Sequence, residues 1–292
     1  MKQPLAPYAF VAPAMFLLLV FGVLPILVAL PVSVTDMDLA GLADRSRIGF
    51  VGLDNYRGLF ADPGFRQALT NTGIFALLGV PTVIAVSFAA ALLLHRSESR
   101  FFRALRAFYF APAVTAIVAV SLVWGYLLNT QFGLLNHLLA IAGLPPARWL
   151  SDPVLVKFSV ALVAVWRGTG LNIIIFLAAL KGLPREYLEA ADLDGASGPR
   201  KIVSIVIPLL RFAFSFVAVT TVIGWLQFFD EPFVLTKGGP LGESTSISLF
   251  LYQEGFSASR FGYAGAGTLV LFLIIAGITL VQLRARRPGA DH

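Results

Sequence analysis

Two groups of residues in this chain combine types that could do chemistry, and neither is a catalytic set. The first is Glu186, Glu189 and Asp192, inside a soluble-looking segment, 181–202, that interrupts long apolar runs. At about 100° per residue these acids share one side of a helix, while Tyr187, Leu188 and Ala191 share the other. Such a helix docks its apolar side and offers its acids to the basic groups of a partner. Pro184 suits a first helical turn, the acids lie toward the positive end of the helix dipole, and Gly195 suits a C-terminal stop. A helix lying on a bilayer carries Lys or Arg on its polar face instead, so the partner is read as a protein.

The second group is polar and small residues within apolar runs, where such groups are costly and face a bundle interior or a watery cavity. Arg167 lies between Trp166 and Gly168, with Asn172 five residues on. Arg167 can bind a solute hydroxyl or phosphate, or it can snorkel or pair with a carboxylate of a partner chain; both readings stand at this point. Asn172 either joins the same path or bridges helices. Thr221, Gly224, Trp225 and Gln227 form a similar set nearer the C-terminus: a flat ring for sugar C–H faces, an amide and a hydroxyl for sugar hydroxyls, and a glycine that permits close approach. Trp225 reads equally as an interfacial anchor. Residues two apart point about 200° apart on a helix, so Trp225 and Gln227 line one cavity together only if the helix unwinds there.

The chemistry that is missing is as informative. The three histidines, His95, His137 and His292, are scattered, and no nucleophile, acid–base or metal-ligand spacing is present, which excludes an enzyme. All five lysines lack a preceding glycine, so there is no phosphate-binding Gly-Lys-Ser/Thr loop. The chain is expected to bind no cofactor, and any ATP must be hydrolysed on another polypeptide.

These residues have to be positioned by membrane helices. With 58% hydrophobic and 13% charged residues, the chain lies far outside the soluble range of about 25% charged. Six runs are long enough to cross a hydrocarbon core as helices: 9–34, 68–94, 107–128, 154–180, 203–229 and 261–283. The predicted fold class is an all-α integral membrane protein with six spans. Lys2 precedes the first run, but its length exceeds that of a secretory signal, so it reads as a retained anchor. The runs hold no Asp or Glu, which argues against an ion channel or a proton-coupled transporter.

Charge sorts the loops. The N-terminus, 95–106, 181–202 and the tail after 283 carry 12 of the 22 Lys/Arg, with Arg96, Arg100, Arg103 and Arg106 in one short loop. The opposite loops carry 7 basic and 10 acidic residues, with Lys157, Arg167 and Arg211 inside the runs. The positive-inside rule makes the first set cytoplasmic, termini included. The net charge of +6 is this bias and implies lipid, not nucleic acid, as a partner. The expected organisation is a first helix and outer loop, 1–66, a transmembrane domain, 67–284, and a basic cytoplasmic tail, 285–292. The absence of cysteine permits a labelling test with single thiols at Ser197 and Ser244.

The acidic segment also carries a spaced signature: Glu189-Ala190-Ala191, three residues, Gly195, nine residues, Ile205, then Ile207 and Pro208. It resembles the coupling loop of permease subunits of ATP-binding-cassette importers, with Ile207 where that family usually has Leu. A second stretch, Phe229-Asp230-Glu231-Pro232, Thr236-Lys237-Gly238-Gly239-Pro240 and Phe261-Gly262-Tyr263-Ala264, is similar to the maltose-type branch, which imports sugars and, in one group, glycerol phosphates. The resemblance implies the type I importer transmembrane fold, a second and often non-identical permease subunit, two ATPase subunits that hold ATP and magnesium, and an extracytoplasmic solute-binding protein in a bacterial inner membrane. By that resemblance Glu186 to Asp192, with Gly195, contact the ATPase, and the solute is a di- or oligosaccharide or, alternatively, a glycerol-phosphate compound.

Overall fold

The structure, a computed structural model, describes residues 6–95 and 99–285. Lys2, Arg96 and residues 286–292, which carry part of the charge argument and most of the expected basic tail, lie outside the described residues. Within them the regular structure is helical apart from one antiparallel bridge, Thr35 with Phe50. The main helices are α1 (Phe10–Ser33), α2 (Asp54–Ala61), α3 (Pro63–His95), α4 (Arg100–Val114), α5 (Ile117–Leu127), α6 (Leu134–Ile141), α7 (Leu155–Lys181), α8 (Arg185–Leu193), α9 (Gly198–Leu209), α10 (Arg211–Leu226), α11 (Ile247–Tyr252) and α12 (Phe261–Arg284).

Helices α1, α3, α7 and α12 are each long and apolar enough to cross a membrane, and α4 with α5 and α9 with α10 complete six if each bent pair is one span. The bends correct the sequence reading. The run 107–128 is not one rod: it turns by 102° between α4 and α5. Pro112 weakens the last turn of α4, and Thr115 and Ala116 then leave helical geometry. Arg100, Arg103 and Arg106, expected in a loop, form the first turns of α4, capped by Ser99. The Nη2 of Arg106 donates to the Leu94 carbonyl at 2.7 Å, where a cation meets the negative end of α3.

Widened π turns sit just before two prolines, Leu19–Val23 ahead of Pro25 and Ile202–Val206 ahead of Pro208. A proline cannot donate to the carbonyl four residues back, and its ring crowds that carbonyl, so the preceding turn opens. The second one sits between α8 and the 74° bend that separates α9 from α10.

The chain forms two compact units, Met1–Arg66 with Phe250–Gly277, and Gln67–Leu249 with Ile278–His292. In the first, α1 is exposed along its apolar length until Ser33, which is buried and accepts from Tyr56 at 2.7 Å. Asn55 ties down the carbonyls of Ser33 and Thr35 at 2.9 and 2.7 Å. Here the Phe261-Gly262-Tyr263-Ala264 stretch has a structural reason. A Cβ on Gly262 would stand 1.9 Å from the Thr35 oxygen, and Tyr263 donates its hydroxyl to Asp62 at 2.9 Å.

In the second unit α3, α4, α7 and α10 pack side by side. Gly170 lets α7 approach α4 so closely that a Cβ there would meet the Tyr109 carbonyl at 2.6 Å, a small-residue device usual between membrane helices. Two apolar clusters form along α3, α7 and α10. One centres on Phe88, Phe176 and Phe214, with ring centroids 4.7 to 5.5 Å apart. The other gathers Phe75, Val83, Val160, Trp225 and Phe228.

Candidate functional site

Helix α8 is built by local rules. Pro184 is its N-cap, and Gly195 is left-handed at φ +69°, a conformation that favours glycine. The amide of Ala196 reaches the Ala191 carbonyl at 3.0 Å and that of Gly195 reaches Asp192 at 3.1 Å, the paired bonds of a glycine-terminated helix. Leu188 docks the helix on the Phe88, Phe176 and Phe214 cluster, and Ala191 is buried as well. Tyr187, read from sequence as part of the docking side, stands instead on an exposed flank. The outward face holds Glu186, Glu189, Ala190 and Leu193, the last 91% exposed. Asp192 on the other flank pairs with Lys201. Two outward acids beside a bare leucine form a small surface suited to a partner with an apolar recess and basic groups.

Between the two apolar clusters, where α3, α7 and α10 face one another, lies a cavity of about 250 Å³. Arg167, Gly168 and Asn172 of α7 and Thr221, Gly224 and Trp225 of α10 line it, with Val83, Ala164, Leu171, Thr220, Phe228 and Glu231. The Trp225 ring is a wall: it is nearly buried, packs on Phe228 at 5.0 Å, and rests on Gly79, where a Cβ would stand 2.1 Å from it. Gly224 is the opposite case, with open space where its side chain would go. Thr221 is buried, and among the described residues its Oγ1 has no hydrogen-bond partner. Thr220 and Asn172 donate to carbonyls of their own helices, at 2.9 and 3.0 Å.

Six of the eight residues marked from sequence meet in this cavity, and two do not. Trp166 faces away and sets its ring edge-on to Trp124 at 5.7 Å. Gln227, two residues past Trp225, caps α10 and is exposed, as expected if α10 stays regular and one of that pair faces in. Sequence reasoning missed Glu231. It lies past the apolar run and is 1% exposed, and its Oε1 accepts from Arg167 Nε at 2.7 Å. Asp230 accepts from Arg167 Nη2 at 3.4 Å. The carboxylates that answer Arg167 thus belong to its own chain, not to a partner. The Asp-Glu-Pro stretch was the available signal, and only its pairing was hidden.

Residues 230–249 are fixed as firmly. Lys157 near the start of α7 pairs with Glu243 at 2.5 Å. Asn71 of α3 donates to the Gly242 and Thr245 carbonyls at 2.9 and 3.0 Å. Ser244, fully buried, bonds Thr236 and the Gly239 carbonyl. The Thr236 to Pro240 stretch is therefore a packed turn.

Residues 58–288 match the family described as binding-protein-dependent transport system inner membrane component. The chain belongs to that family. Over 284 residues the permease is 34% identical to the lactose transport system permease protein LacF of Rhizobium radiobacter, with 96% of this chain and 93% of that one covered. It is 31% identical over 285 residues to the sn-glycerol-3-phosphate transport system permease protein UgpA of Pectobacterium atrosepticum, covering 95% and 92%. A chain of the bacterial alginate transporter, crystallised with its alginate pentasaccharide-bound periplasmic protein, superposes with a TM-score of 0.82 at 22% identity, over 97% of this chain and 94% of that one. The permease has that importer fold. It is a non-catalytic, multi-pass inner-membrane subunit of a binding-protein-dependent importer.

Proposed function

We propose that the permease passes a di- or oligosaccharide through the cavity between α3, α7 and α10, beside a second, non-identical permease subunit. Two ATPase subunits, which hold ATP and magnesium, engage α8 through Glu186, Glu189, Ala190 and their neighbours, and an extracytoplasmic protein delivers the solute. The observation that carries the reading is the cavity itself: an aromatic wall, an amide and a guanidinium converge there, nine to fourteen residues and so about 14 to 21 Å from the ends of α7 and α10 nearest α8. The cluster that receives Leu188 occupies that interval, so a displacement of α8 reaches the cavity through packed rings.

Gly224→Leu tests the path, because the open space at Gly224 accepts a side chain without disturbing the fold while filling the cavity. In the reconstituted importer we expect uptake of labelled sugar to fall at least tenfold with ATPase subunits still bound. Unchanged uptake would move the path elsewhere. The likeness to UgpA favours a second reading, with a glycerol-phosphate solute gripped by Arg167, and uptake of labelled sn-glycerol 3-phosphate in the same vesicles decides it.

The orientation, with both termini and α8 in the cytoplasm, rests on the arginine asymmetry. Ser197 is exposed and suits an inside thiol, but Ser244 is buried, so the outside thiol belongs at Leu241, 84% exposed. An impermeant reagent on intact cells should label position 241 and spare 197; the reverse pattern overturns the orientation.

A further inference from the structure

The importers that resemble this permease divide by solute charge, and the cavity contains a device that bears on that choice. Among the described residues that line it, the one cation, Arg167, is already engaged by two carboxylates: Glu231 on Nε at 2.7 Å and Asp230 on Nη2 at 3.4 Å. Resting on the reading of this cavity as the solute path, we propose that the Arg167, Glu231 and Asp230 cluster makes the permease select uncharged polyhydroxy solutes and reject anionic ones, uronates and phosphate esters alike.

The argument is one of substitution. A guanidinium free to grip phosphate or carboxylate does so through two parallel N–H bonds. To do that here Arg167 must release Glu231, which is almost wholly buried and would be left as a lone buried charge. The exchange is uphill. Arg167 nonetheless keeps its Nη1 hydrogens, and it lines the cavity at partial exposure. A paired arginine of this kind is a fixed donor to hydroxyls inside a site whose charged groups sum to −1, since one guanidinium faces two carboxylates. The Trp225 ring adds an apolar face, which does not favour an anion.

The cysteine-free chain allows the charge of the cavity to be read without knowing the solute. Asn172→Cys places a thiol in the lining, and Leu241→Cys supplies an exposed reference. The whole detergent-purified importer is treated with cationic 2-(trimethylammonio)ethyl methanethiosulfonate or anionic 2-sulfonatoethyl methanethiosulfonate, and modification of this chain is followed by mass. Relative to position 241, position 172 should react faster with the cation. Glu231→Gln should shift the ratio toward the anion by about tenfold, the effect of one negative charge fewer in a partly watery cavity. Asp230→Asn, at a half-exposed position, should shift it the same way by less, and it covers the case in which the buried substitution impairs folding. A ratio that favours the anion in the parent, or that neither variant moves, overturns the charge selection alone. If position 172 reacts with neither reagent while 241 reacts with both, no watery path exists there, and the path reading falls along with this proposal.

Discussion

Helix α8 and the mid-span cavity each pair acidic with basic side chains, yet the same pairing has different consequences in the two places. Asp192 meets Lys201 with its carboxylate 63% exposed, so water still solvates the acid and such a pair contributes less than about 1 kcal/mol. Glu231 meets Arg167 out of water, and there the partner decides whether the charge is tolerated at all. One site is thus free to trade its charges with another protein, and the other has to keep them. That division suits a subunit that must be gripped at one end and must hold a shaped cavity at the other.

The sharpest way to break the comparison is to remove one basic partner at each place. Arg167→Met strands Glu231 and should destabilise the protein by about 3 kcal/mol, whereas Lys201→Met should change stability by well under 1 kcal/mol. Thermal unfolding of the purified importer in detergent measures both, and equal losses would erase the distinction.

Next in size is Gly79→Ala. The new Cβ would collide with the Trp225 ring, and relieving such overpacking costs about 1 to 3 kcal/mol. Sugar uptake should fall while ATPase subunits still co-purify; intact uptake would mean that the ring is not a fixed wall.

The α8 counterparts should reverse that pattern. Gly195→Pro cannot adopt φ +69°, so the helix loses its stop, and Glu189→Ala removes an outward acid. Both should reduce co-purification of ATPase and uptake with little change in melting, the proline more than the alanine. Full assembly in both would sink the assignment of this face.

These contrasts also explain what could be read in advance. Helix α8 was legible from contiguous residues, because its cap, its stop and its apolar pair act within three turns. Tyr187 was misplaced because a pattern of about 100° per residue gives sides, whereas packing decides where a side ends. The cavity was half legible. Polar residues inside apolar runs announced Arg167, Asn172 and Thr221, but Glu231 sits outside every run and is brought to Arg167 only by the end of α10. Gln227 had the right chemistry and the wrong angle. The break between α4 and α5 was invisible to a measure of hydrophobic length, which does not respond to direction.

The smallest expected effect lies on the far side of the cavity from α8, at the N-terminal end of α7. The amides of Leu155 and Val154 donate to Asp152 at 2.9 Å and hold its carboxyl below the usual carboxylate range. A lowered folded-state value adds stability above the ordinary carboxylate range, and that stability is lost as pH falls through the lowered value. Asp152→Asn should therefore lie slightly below the parent in melting temperature at pH 7 and converge with it in acid; a gap that persists at low pH would place the effect elsewhere.

The contact of Trp225 with Gly79 has one more consequence. A ring that lies directly on bare backbone has no room to recoil, so the calibre of the passage at that level is set by the distance between two helices and not by a choice of rotamer. On the proposed path, substitutions at Asn172 can retune which hydroxyls are recognised, but the bore stays the same. Within this framework a change of cargo is a matter of surface chemistry, while a change in cargo width requires α3 and α10 to move apart.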